Sequence, residues 1–82
     1  MNHRRFRRIR RQTEGMALLA ACLSRRMRDA GLSQEALEAA SGVSQTTISF
    51  ILRGMCAPNI DTIYRLARGL GLAPHEFLKP WT

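Results

Sequence analysis

The sequence predicts an all-α fold, a compact domain of five short helices carrying a basic N-terminal arm. Three observations point there. Apolar residues recur at three- and four-residue spacing along the chain, and no strand-like alternation of four or more residues appears. Cap and stop residues punctuate that pattern at short intervals. With 82 residues there is material for one small core, so a single domain is expected over residues 13–82, with residues 1–12 as a flexible arm.

The first helix is expected at 14–30, with Thr13 as N-cap and Gly31 as stop. Met16, Leu19, Ala20, Leu23, Met27 and Ala30 form its apolar stripe, with Arg25, Arg28 and Asp29 opposite and Leu18 and Cys22 off the stripe. One device then recurs three times. Leu32 before Leu37, Val43 before Ile48 and Leu72 before Phe77 each place an apolar residue five ahead of another, across a cap position. That spacing staples the chain as it enters a helix. Ser33 and Ser44 can cap helices at 34–41 and 45–53, and Asn59 a fourth at 60–70, whose inner stripe reads as Ile60, Ile63, Ala67 and Leu70. Gly69 is expected to face outward there, costing only backbone entropy. Pro74 suits the first position of a last helix at 74–79. Only Gly42-Val43-Ser44 join the second and third helices, and so tight a connection forces a steep crossing, the geometry of a helix-turn-helix.

Charge is unevenly placed. Of the net +7, residues 1–12 hold +6 as Arg4, Arg5, Arg7, Arg8, Arg10 and Arg11, while residues 13–82 set seven Lys/Arg against six Asp/Glu. A block of like charges repels itself until it meets a polyanion. Three roles are open to the arm: lying along DNA phosphates or in a minor groove, folding on structured RNA, or merely solubilising. Phe6 and Ile9 could also rest on Leu18 and Cys22, ordering part of it.

Several classes are excluded. The apolar run "MALLAACLS" after the arm is short, amphipathic and followed by arginines, which argues against a secretory signal; nothing is long enough to span a bilayer, and a cytoplasmic, nucleoid-associated protein is expected. Cys22 and Cys56 are too few for a disulfide framework and lack metal-ligand spacing, so reduced thiols are expected. His3 and His75 have no carboxylate and nucleophile set around them, and no glycine-rich phosphate loop is present. No catalytic site, metal or cofactor is expected.

The stretch "GVSQTTISFILRG" (42–54) carries the most information. At about 100° per residue, Ile48, Ile51 and Leu52 face the core, Thr46, Ser49, Phe50 and Arg53 point away, and Gln45 and Thr47 lie at the edges. The outward face is neutral and hydrogen-bonding, with one ring and one cation. Base edges in a DNA major groove call for this chemistry: Gln pairs bidentately with adenine, hydroxyls donate or accept, and aromatic carbon packs on a thymine methyl. Arg53 is placed to reach a phosphate or a guanine.

"LSQEALEAASGVSQTTISFILRG" (32–54) followed by "APNIDTIYRLARGLGLAPHEF" (57–77) resembles the lambda-repressor-like, Cro-type (XRE) helix-turn-helix domain over about residues 16–78. The resemblance implies five helices, a homodimer, and sequence-specific binding of double-stranded DNA with the third helix in the major groove. It gives Gln34 a phosphate contact and a supporting role for helix three. Base reading falls on Gln45, Thr46, Thr47 and Phe50, and phosphate contact on Arg53. Ser49 joins the base-reading set from its place on the outward face. Ser44 and the six arm arginines complete the phosphate-contacting set. Two positions depart from the family pattern: Glu38 stands where alanine is favoured, and Phe50 where a polar or basic residue is common.

The function expected is transcriptional regulation, most simply repression, on a near-palindromic operator. The alternative is an antitoxin-type module that binds a protein partner as well as its own operator, for which Phe50, Leu18 and Trp81 are candidate contacts.

Overall fold

The computed structural model describes residues 13–79, which form five helices: α1 (Glu14–Ala30), α2 (Gln34–Ser41), α3 (Gln45–Leu52), α4 (Ile60–Gly69) and α5 (Pro74–Phe77). No strand occurs among the described residues. α1 and α2 have the expected bounds. α3 and α4 each stop one residue early, with Arg53 and Leu70 as C-caps. α5 ends at Phe77 rather than 79, the chain continuing in a turn in which the Lys79 N–H donates to the Glu76 carbonyl.

The caps are those the sequence predicts. The side chains of Thr13, Ser33, Ser44 and Asn59 accept from the N–H three residues on, at 2.8–3.1 Å. Each satisfies an amide that the helix itself leaves free. Ala73, before Pro74, has no side-chain acceptor; there Glu76 reaches back to accept from the Ala73 N–H at 2.8 Å. Gly31 and Gly42 end α1 and α2 at φ 68° and 78°, where a side chain would strain the backbone.

The core is one cluster of Leu19, Cys22, Leu23, Met27, Leu37, Val43, Ile48, Ile51, Leu66, Ala67 and Phe77. α2 packs on α3 and α4, α1 packs on α3, and α5 closes against α4 and α1. The stapling residues Val43 and Phe77 are buried, and Leu32 and Leu72 pack against the same cluster. Arg26 ties the last turn to α1, its guanidinium donating to the carbonyls of Glu76 at 2.6 Å and Lys79 at 3.3 Å.

Four expectations are corrected. Cys22 is 2% exposed and part of the core, because the apolar face of α1 is wider than a single stripe. Ala30, the last residue of that helix, is exposed. On α4 the inner face is Ile63, Leu66, Ala67 and Leu70; Ile60 is 78% exposed, since the first turn of the helix projects beyond the core. Gly69 does not face open solvent. A Cβ built on it would lie 2.8 Å from the Ser41 Cβ and 3.0 Å from its Cα, so α4 and the end of α2 meet closely here.

Candidate nucleic-acid interface

α3 is held by its inner face and presents its outer one. Ile48 and Ile51 are fully buried and Leu52 packs against the core, which fixes the rotation of the helix about its axis. The entry to α3 is equally constrained. Gly42 turns the chain, buried Val43 anchors it, and the Val43 N–H donates to the Ser41 hydroxyl at 3.1 Å.

Gln45, Thr46, Phe50 and Arg53 are exposed and Thr47 and Ser49 half-buried, so Gln45, expected at the edge, is exposed, and Ser49, expected to point away, is partly covered. Gln45, Thr46, Ser49 and Arg53 line one open depression of about 380 Å³ together with Gln34, the first residue of α2. Two helices thus bring amides, hydroxyls and one guanidinium to a common hollow whose lining contains no carboxylate. Glu38 of α2 is exposed and outside that lining.

Ser44 and Thr47 are joined twice. The Thr47 N–H donates to the Ser44 hydroxyl, and the Ser44 hydroxyl donates to the Thr47 Oγ1 at 2.9 Å. The two hydroxyls share one hydrogen bond, so one of their two protons is left to donate outward.

Phe50 and Arg53 are also a pair: the guanidinium carbon lies 5.0 Å from the centre of the ring. Helical positions three apart share a face, so this contact is legible in the sequence only when the two residues are read together. The approach of Gly69 to Ser41, which sets where α2 sits, had a weaker signal, an isolated glycine in a helical pattern. Arg4, Arg5, Arg7, Arg8, Arg10 and Arg11, with Phe6, Ile9 and Trp81, lie outside the described residues. Among the described residues, no helix is long and apolar enough to cross a membrane.

Residues 23–77 match the family model described as "Helix-turn-helix". The chain is also similar to an uncharacterized HTH-type transcriptional regulator, y4dJ, of Sinorhizobium fredii (strain NBRC 101917 / NGR234), with 40% identity over 63 residues, 77% of this chain and 82% of that protein. No solved structure matches it significantly. The matched segment contains α2, the tight turn and α3 in full, and the chain belongs to the lambda-repressor-like helix-turn-helix family of DNA-binding regulators, which are not enzymes.

Proposed function

We propose that the chain is a homodimeric repressor that binds a near-palindromic operator, acting in the cytoplasm on the nucleoid. The observation that carries this reading is the shared hollow of Gln34, Gln45, Thr46, Ser49 and Arg53. With α3 in the major groove, Gln45, Thr46, Thr47 and Ser49 face base edges, while Gln34 and Arg53 flank them at phosphate positions. Gln34 opens α2, whose N-terminus carries partial positive charge that favours a phosphate. The arm arginines supply further phosphate contacts, which raise affinity for every sequence alike.

Support for the dimer comes from α4. Ile60 and Tyr64, one turn apart, are both exposed, an apolar surface suited to a second copy. Two-fold symmetry then doubles the sequence read and sets the half-sites about one helical turn apart. Selection of bound sequences from a random duplex pool tests this. A pair of inverted half-sites at that spacing is expected; enrichment of unpaired sites rejects the dimer, and no enrichment rejects sequence-specific binding.

One observation favours the antitoxin-type alternative. Met16, Leu18, Leu19, Ala57, Pro58, Ile63 and Leu78 line an apolar hollow of about 210 Å³ that shares no lining residue with the hollow of Gln34, Gln45 and Arg53. Co-purification of one stoichiometric protein from the native cell, lost in Leu18→Glu, would support that reading.

A further inference from the structure

We propose that Phe50 is a positioning residue, whose ring holds the Arg53 guanidinium in the pose from which it grips a backbone phosphate; this rests on the DNA-binding reading above. Arg53 is the C-cap of α3, past the last helical residue, and its side chain is exposed. A free arginine there would sample many rotamers and lose them on docking. Instead the guanidinium carbon sits 5.0 Å from the Phe50 ring centre, inside the range of about 6 Å over which a ring face attracts a cation.

A guanidinium stacked on a ring keeps its donors free. Attraction to a ring uses the flat face of the guanidinium, whereas a phosphate is bound by N–H groups in its plane. Arg53 also lines the hollow shared with Gln34, Gln45, Thr46 and Ser49, while Phe50 does not. The cation is therefore in reach of both the ring and the hollow assigned to base reading. Among the described residues, the two ion pairs are Arg25–Asp29 and Arg65–Asp61, so the ring does not compete with a carboxylate for Arg53. The ring face turned to Arg53 is closed to a thymine methyl, which sets this role against the direct base contact that the sequence predicts for Phe50.

The test uses the full chain with Phe50→Ala, Phe50→Leu and Phe50→Tyr, each with Arg53 intact and with Arg53→Ala. The probes are a mixed-sequence duplex of about two helical turns and a site selected from a random pool, with helical content checked by circular dichroism. With Arg53 intact, Phe50→Ala and Phe50→Leu should each weaken binding to both probes by about two- to fivefold, and Phe50→Tyr should bind like the unchanged chain. With Arg53→Ala, none of the three should matter. Replacing thymine by uracil in the selected site should leave the Phe50 effect unchanged. An equal loss in both backgrounds, recovery by Phe50→Leu, or a uracil substitution that mimics Phe50→Ala overturns the inference and leaves DNA binding standing. Failure of the unchanged chain to bind either duplex overturns both.

Discussion

Gly69→Ala should destabilise the domain. In an outward-facing helical glycine this change would normally help, because alanine is favoured over glycine by about 1 kcal/mol in a helix interior. Here the added Cβ would lie 2.8 Å from the Ser41 Cβ, 3.0 Å from its Cα and 3.1 Å from its backbone nitrogen. Carbon atoms settle at about 3.5–4.0 Å, so α2 and α4 must part by roughly 0.7 Å or more at this point. Two of the three obstructing atoms are backbone, so no side-chain rotation relieves the clash. Overpacking of this kind costs about 1–3 kcal/mol. Gly69 is the last residue of α4, which reduces the helix-propensity gain set against that cost. A net loss of about 1 kcal/mol follows, lowering Tm by about 4–8 °C for a domain of this size. Thermal unfolding followed by circular dichroism reads it directly. An unchanged or raised Tm would mean that the helices part freely there.

Deleting residues 1–11 should weaken binding to all sequences alike; six engaged arginines contribute about −5 to the slope of log affinity against log salt. Equal slopes with and without the arm would show that its arginines do not meet DNA. Burial pushes the Cys22 thiol up, against the opposing pull of Arg26 and Arg25, and the residue is almost wholly enclosed, whereas Cys56 is half-buried. A thiol reagent at pH 8 should therefore modify Cys56 first and Cys22 only on unfolding; equal rates for the two would place Cys22 outside the core.

Much of this fold is written in local chemistry. A serine or asparagine three residues before a free amide, and an apolar pair five apart across it, mark helix starts with little help from the rest of the chain. Ser33 and Ser44 were legible on that ground and Asn59 as a cap alone, and the turn at 42–44 made the helix-turn-helix legible with them. The outward face of α3 followed because Ile48 and Ile51 leave one rotation of an eight-residue helix open. Tertiary placement was less legible. Periodicity allows both Ile60 and Leu66 on the inner face of α4, and only the edge of the core decides between them. Cys22 and Gly69 turn on how closely α1 and α4 approach their neighbours, a distance no single helix encodes. The Phe50–Arg53 pair depends on two side chains folding together, where projection treats each as a separate spoke.

The affinity of Gln45→Ala for every single-base variant of a selected operator tests the central claim most directly, since Gln45 opens α3 and lines the hollow facing the proposed groove. A loss of about 1–3 kcal/mol is expected on the preferred site, with discrimination erased at one position per half-site and kept at the others. Discrimination that survives at every position, or a loss spread evenly over all of them, would contradict base reading by this face of α3.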